Sequence, residues 1–467
     1  MRLLHDPTKI SATFDDPHLV SQAGLVPVMT LAQRAGLGDL AAEHVRIARP
    51  CGVNAGVKTG CLVAGMAAGA DSIDDMGLLR HGAMGALFGG ARAPSTLGSF
   101  LRSFTWGNVL QLQKVHREFL AELARRVPLL PGADVLAFLD IDSQQKRVYG
   151  HAKQGAAFGH TKIQGKSLLV RGLNVLAASV CTPLAAPVIA GTRLRGGNAS
   201  SARGAASMIT EAVSTARSAG CTGTLIVRMD SAFYGAPAAW AARKAGAFFS
   251  VTVRADSRIR AAIAAIAEDA WTPIRYPRAV WDDQLGCWVS DAQVAETEYT
   301  AFTSRKGKAI TARLIVRRVR DLNAKTAPGQ GELFTAWRYH AVFTDSPFVT
   351  LQAEEHHRGH AQAEQVFADW SDGPLAHLPS GSFHANAAWL AFAAMTCNLL
   401  RAAGALASPA HAKARGATLR RDLIGVAARA ARHGRGHLTL HLPAGWHREH
   451  EWMNLFEAAC GPPAAAA

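Results

Sequence analysis

The feature that most constrains this chain is a change of pattern at about Gly132. Before it, apolar residues recur at helical spacing. Immediately after it, Val135 to Leu139 is a continuous apolar run that ends on acid, at Asp140 and Asp142. Such a run reads as a buried central strand covered on both faces. Further strand-like stretches follow at Lys166 to Leu176 and Pro187 to Leu194. Then come a helical pattern (201–219), a strand (Thr224 to Met229), a helix (236–245) and a strand (Phe248 to Val253). Early strands followed by strand–helix alternation predict an α/β fold built on a mixed sheet.

Around this centre the sequence predicts a helical region over residues 1–130 and a sheet core over 131–255. A β-rich insertion follows over 256–350, then a return to helix over 351–405 and a basic C-terminal region over 406–467. Within the first region, 93–102 reads as a loop entering a helix capped by Ser95 or Thr96, and 109–126 as a second helix. Two short helices in this order have the form of a DNA-reading unit, or of a hairpin that only packs on itself. Residues 354–370 read as one helix, and 386–403 as a second, apolar one. The insertion is marked by Trp271, Trp281, Trp288 and Trp337, side chains suited either to core packing or to stacking on an unpaired base.

At 467 residues with 49% hydrophobic and 18% charged side chains, the chain has ample material for a folded core. Its formal net charge of +15 points to a polyanionic partner, DNA above all. Seven cysteines are scattered singly with no CxxC pair, which fits reduced, buried thiols in a reducing compartment. The first residues, Met-Arg-Leu-Leu-His-Asp-Pro, reach charge before any secretory apolar segment forms. The uncharged run from Gly172 to Gly191 contains Pro183, Pro187 and Asn174, and reads as buried strands joined by a turn, not a membrane span. The expected location is the cytoplasm, in association with the nucleoid and with no membrane partner.

Three acids stand out: Asp142 and Asp230, each after a strand-like run, and Glu364 in the later helix. A carboxylate at the end of a rigid central strand is a well-fixed ligand for a hard cation. Phosphodiester cleavage needs an activated oxygen nucleophile and neutralised charge, and two Mg²⁺ ions about 4 Å apart supply both. Asp140 competes with Asp142, because alternation puts both on one face of the strand. Arg193, Arg195, Lys162 and Lys166 lie between the first two acids in sequence and are candidates to grip phosphates. Gly196-Gly197 is too short to cradle a nucleotide, and the histidines near Glu364 lack the spacing of a zinc hydrolase.

Taken in order, several motifs resemble bacterial insertion-sequence transposases of the DDE type. They are Leu-Asp-Ile-Asp142-Ser, Arg193-Leu-Arg-Gly-Gly-Asn-Ala-Ser, Arg-Met-Asp230-Ser-Ala-Phe-Tyr, His357-Arg-Gly-His-Ala-Gln-Ala-Glu364 and Leu378-Pro-Ser-Gly-Ser-Phe-His-Ala-Asn386. More narrowly the chain is similar to the IS-thirteen-eighty branch, related to the IS-four group, over roughly residues 12–446. The resemblance implies an RNase H-like mixed sheet core with a β-rich insertion before the glutamate. It implies Asp142, Asp230 and Glu364 as catalytic, metal-binding residues with Mg²⁺ or Mn²⁺, Asp142 being preferred because Ser143 follows it. It also implies a homodimer on the terminal inverted repeats of a mobile element and on target DNA. Related transposases often carry tyrosine seven before the glutamate, arginine four before it and lysine seven after it. Here those positions hold His357, His360 and Ser371. On a continuous helix, His357 and His360 would share a face with Glu364 and contact phosphate or move protons, with Arg358 supplying fixed positive charge. A transposase that has lost cleavage and acts as a DNA-binding protein is the alternative reading.

Overall fold

Residues 1, 3–163, 166–277, 279–284, 286–304, 306–320 and 337–461 are described by a computed structural model. The N-terminal third is helical, as its periodicity predicts. The 21-residue helix Trp106–Arg126 begins with a capping box: Asn108 Oδ1 accepts the Thr105 amide at 3.0 Å while Thr105 Oγ1 accepts that of Asn108. Its apolar stripe, Val109, Leu112, Val115, Phe119, Leu120 and Leu123, is buried. The preceding helix, Pro94–Arg102, has no side-chain cap. Ser95 and Thr96 lie inside it, because Pro94 takes the first helical position, where its missing N–H costs nothing.

These helices do not form a separate ball. They share one continuous hydrophobic core with the sheet and with the helix Phe383–Ala407, which runs through the middle of the molecule. Phe104 meets Phe392 of that helix edge to face at 6.3 Å. The helix is long and apolar enough by length and composition to cross a membrane, but most of it is buried inside the fold. Its Asn398 acts as a substitute strand: Oδ1 accepts the Ile189 amide at 2.7 Å and Nδ2 donates to the Ile189 carbonyl at 2.9 Å, opposite a β-bulge.

Chain order gives β1 (Leu19–Val20), β2 (Leu136–Arg147), β3 (Ala157–Ile163), β4 (Lys166–Thr182), β5 (Ala185–Gly196), β6 (Thr224–Met229) and β7 (Phe248–Val253). Then come β8 (Thr272–Pro273), β9 (Val280–Asp282), β10 (Cys287–Val289), β11 (Ala292–Ala301), β12 (Ile310–Arg320), β13 (Trp337–Thr344), β14 (Ala428–Arg432) and β15 (Leu438–His441). The centre of the large sheet runs β5-β4-β2-β6-β7. β5 pairs with β4 and β4 with β2 antiparallel, whereas β2 pairs with β6 and β6 with β7 in parallel. Three antiparallel strands joined to two parallel ones, with helices Ala205–Ser218 and Ala236–Lys244 in the crossovers, is the RNase H-like arrangement. The run Gly172 to Gly191 lies in β4, its turn and β5, as its prolines predict.

β3 is a strand that sequence patterning did not isolate; it pairs with the outer half of β4 as a projecting hairpin. The insertion begins helically at Ser257–Ala264. Its strands β13, β12, β11 and β8 then extend the sheet from the β7 edge. Trp271 and Trp337 flank the Arg318 guanidinium at 4.2 and 4.5 Å, so these two rings are occupied within the protein. Trp281 and Trp288 pair edge to face on the β9–β10 ribbon, with Trp281 exposed. The basic C-terminal region folds rather than trailing. β14 lies between β1 and β15, and the helix Glu449–Cys460 buries Trp452 and Leu455.

Candidate active site

The two parallel strands at the centre of the sheet carry matched text. β2 reads Asp140-Ile-Asp142 and β6 continues as Arg228-Met-Asp230, with Asp140 opposite Arg228 and Ile141 opposite Met229. Carrying that register one step further sets Asp142 beside Asp230, where adjacent strands are about 4.8 Å apart. Asp142 Oδ1 accepts the Ser143 amide at 2.6 Å, and Ser143 in turn bonds Ser201 at 3.0 Å. Asp230 ends β6 as the cap of a short turn, its Oδ1 accepting the Ala232 amide at 2.9 Å.

Electrostatics link the third acid to these two. The Asp142 carboxyl is pushed up to about 6, first by burial and further by the negative charges of Asp230 and Glu364; the Ser143 amide and His360 act in the opposite sense. Both acids therefore act on Asp142, and the three residues come from three separate elements of the chain. Glu364 is exposed, in the first turn of the helix Gln362–Ser371. Among the described residues no three His, Cys, Asp or Glu side chains lie close enough to hold an ion as they stand. The donors fit a hard divalent cation in kind, and the crowding of negative charge on Asp142 is what such a cation relieves. They do not yet form a closed ligand shell.

Asp140 does something different from Asp142. It is 1% exposed, and both its oxygens are taken. Arg228 donates to them in a fork, Nε to Oδ1 and Nη2 to Oδ2, each at 2.7 Å, and His360 Nδ1 lies 2.9 Å from Oδ1. Burial alone would raise the Asp140 carboxyl, but the charges and hydrogen bonds of Arg228 and His360 outweigh it and hold the group below its usual value. Of the two candidates on this strand, Asp142 is the one with oxygen left for a metal.

The helix expected over 354–370 is broken. Thr350–Arg358 stops, a tight turn covers Gly359–Ala361, and a new helix starts at Gln362. His357, His360 and Glu364 therefore do not form one helical face. His357 is buried between Ser250 Oγ at 2.9 Å and Thr252 Oγ1 at 2.8 Å, and burial drives its pKa down to about 3. A neutral ring with both nitrogens engaged has no atom left for phosphate. For His360, burial works against the charged form, yet the Asp140 hydrogen bond and the charges of Asp140 and Asp142 lift it above the ordinary value. The two aspartates of β2 thus both favour the protonated His360 ring.

The arginines and lysines divide similarly. Arg195 is buried, donating to Asn174 Oδ1 and to the carbonyls of Ser200, Ser201 and Arg203; it ties down the loop after β5 and has no reach to DNA. Arg193 bonds Ser207 at 2.7 Å and Glu211 at 2.9 Å on the next helix. Arg358 donates to Glu354 at 2.8 Å and stays partly exposed. Lys162 and Lys166 sit at the tip of the β3–β4 hairpin by backbone position; their side chains lie outside what is described. Arg228 is the site residue that sequence reasoning missed. The signal was present in the repeat of charged-x-Asp on two strands, but reading it required knowing that those strands are neighbours.

Residues 4–459 match the family model described as Transposase DDE domain group 1. No curated protein is significantly similar to the chain. Among solved structures it is similar to a piggyBac transposase in a synaptic complex with hairpin DNA, determined by cryo-EM. The identity is 12% and the TM-score 0.39, over 87% of this chain and 79% of that one.

Proposed function

From the premise that this chain belongs to the DDE transposases, as a member of Transposase DDE domain group 1, we propose that it binds the terminal inverted repeats of its own mobile element and cuts and rejoins DNA there. Asp142, Asp230 and Glu364 would hold the divalent cations, Mg²⁺ or Mn²⁺ and two in number. Bound there, the cations supply Lewis acidity and charge neutralisation at the scissile phosphate. The protein contributes position: two carboxylates on adjacent rigid strands, and a third in the first turn of a helix packed near β2. Water displaces the 3′ oxygen in line, leaving a 3′-hydroxyl, and that hydroxyl displaces a 3′ oxygen of target DNA in the same way. No covalent bond to the protein is needed. The His360 ring, when protonated, would add positive charge near the phosphate, in the place where relatives often use arginine. The bacterial insertion-sequence branch, a homodimer bridging two element ends, and action on the nucleoid in the cytoplasm belong to this same reading.

The observation that carries the proposal is the parallel register that brings Asp142 and Asp230 together at the ends of the central strands of an RNase H-like sheet, with Glu364 near enough to act on Asp142. Its test is incubation of the full chain with linear DNA bearing the repeats that flank the gene, with and without Mg²⁺ or Mn²⁺. Metal-dependent nicks with 3′-hydroxyl ends are expected, absent in Asp230→Ala while DNA retention persists. Equal cleavage by Asp230→Ala would refute the assignment. The open ligand shell favours one second reading, a transposase that retains DNA without cutting it; retention indifferent to metal and no nick in any lane would establish that one.

Metal binding should also be coupled to protons. A carboxyl at about 6 must lose its proton to become a ligand. Mn²⁺ affinity is expected to rise about tenfold between pH 5 and pH 7 and to level off above, read by calorimetry in buffers of different ionisation heat. Affinity that is flat across this range would remove Asp142 from the ligand set.

A further inference from the structure

Asp140 is buried two residues from Asp142 and takes no part in the chemistry just proposed. We propose that Asp140, Arg228 and His360 form a positioning clamp that sets where Glu364 stands relative to Asp142 and Asp230. This rests on the reading of those three acids as the metal-binding set.

Glu364 does not inherit its position from a long helix, because the chain turns at Gly359–Ala361 just before it. The clamp holds that turn at two points. Before it, the Gly359 N–H donates to the carbonyls of Glu355 and His357, and the His356 carbonyl between them accepts from Arg228 Nη1 at 2.6 Å. This approach is possible because residue 359 is glycine: a Cβ there would lie 2.5 Å from Nη1. Within the turn, His360 is bonded directly to Asp140. One carboxylate therefore holds the end of the helix before the turn, through Arg228, and the middle of the turn itself.

The clamp itself has little freedom. The Arg228 guanidinium lies over the Phe138 ring at 4.1 Å and bonds in three directions in its own plane. The His360 ring stacks on His357, which is tied to two hydroxyls of β7. His360 sits in the turn, and Glu364 is the third residue of the helix that starts at Gln362. A shift at the clamp therefore moves the start of the helix that carries the carboxylate, and displacement of a reacting group by 1 Å can cost about 10²-fold in rate.

The experiment compares His360→Ala, His360→Asn and the double variant Asp140→Leu/Arg228→Met with the unaltered full chain. Asparagine keeps a side-chain donor near the place of Nδ1, and the double variant removes both buried charges together so that neither is left alone. Hydrogen exchange and Mn²⁺ affinity are read first, since neither needs cleavage. In His360→Ala, amides of 356–366 should exchange at least tenfold faster while β2 and β6 stay protected, and Mn²⁺ affinity should fall about tenfold, as in Glu364→Gln. His360→Asn should recover most of both. On repeat-bearing DNA, kcat should drop about 10²-fold with KM unchanged. Wild-type exchange and Mn²⁺ affinity in His360→Ala and in the double variant would overturn the clamp. If the double variant fails to fold, the two His360 variants decide alone. Should the unaltered chain prove unable to cleave, the proposed activity falls, while exchange and Mn²⁺ affinity still decide the clamp.

Discussion

Asp142→Asn is expected to abolish metal-dependent cleavage and, in the same molecule, to make the metal-free protein more stable. A bound cation supplies several kcal/mol of charge stabilisation, so losing a ligand should lower the rate by roughly 10³-fold or more. The gain in stability follows from burial and from the two acidic neighbours, which raise the Asp142 carboxyl from 3.8 to about 6. A group raised on folding favours the native state fully below its unfolded value, and that contribution is lost as pH rises through the folded value. From about pH 4 to pH 6 the wild-type protein therefore loses stability at this site, by about 3 kcal/mol at the plateau. Asparagine keeps an oxygen for the Ser143 amide and has no proton to lose, so it escapes that cost. Thermal unfolding in EDTA should show the variant level with wild type near pH 4 and ahead of it at pH 7.5. Mn²⁺ should stabilise wild type alone. A variant less stable than wild type at pH 7.5 without metal would mean that the carboxylate is held by a partner rather than strained by its neighbours.

What the sequence disclosed, and what it concealed, divides along one physical line. Local features were legible: the apolar run into Asp140 and Asp142, the strand before Asp230, and the strands joined by a turn within Gly172 to Gly191. Each depends on neighbours within a few residues. Pairing was not legible. That β13, β12, β11 and β8 would extend the sheet from β7 is decided by hydrogen bonds between segments far apart in the chain. The break at Gly359 was hidden because three- and four-residue steps from His357 to Glu364 fit an unbroken helix, and a single glycine is tolerated in one. The Arg228 guanidinium that packs against it, bonded to the His356 carbonyl, comes from 128 positions before His356. Arg193 and Arg195 show the same limit in another form. Their charge is plain in the sequence, but whether it faces DNA or is consumed by Glu211, Asn174 and backbone carbonyls depends on the folded neighbourhood.

The pair Asp140–Arg228 should show its worth when only one partner is removed. Arg228 is 2% exposed and Asp140 1%. At that depth the two charges were both stripped of water on folding, and their attraction roughly offsets that loss only while both are present. Arg228→Met leaves the carboxylate with His360 and the weak Cys181 thiol contact as neighbours. A cost of about 3–5 kcal/mol in urea unfolding is expected near pH 8. The pH dependence follows from the sign of the shift. In wild type the carboxyl is held low, so its contribution is present above 3.8 and lost as pH falls through the depressed value. In the variant, burial acts without the guanidinium and the carboxyl takes up a proton at higher pH, which relieves the buried charge. The gap between the two proteins should therefore narrow as pH falls toward 4. A gap below about 1 kcal/mol at pH 8, or one of equal size at pH 4 and pH 8, would show that the carboxylate is not left uncompensated when the guanidinium goes. Replacing both partners by apolar side chains should return most of the lost stability, because no lone charge then remains inside the sheet. A stable double variant with a displaced Glu364 would separate what this pair does for folding from what it does for the site.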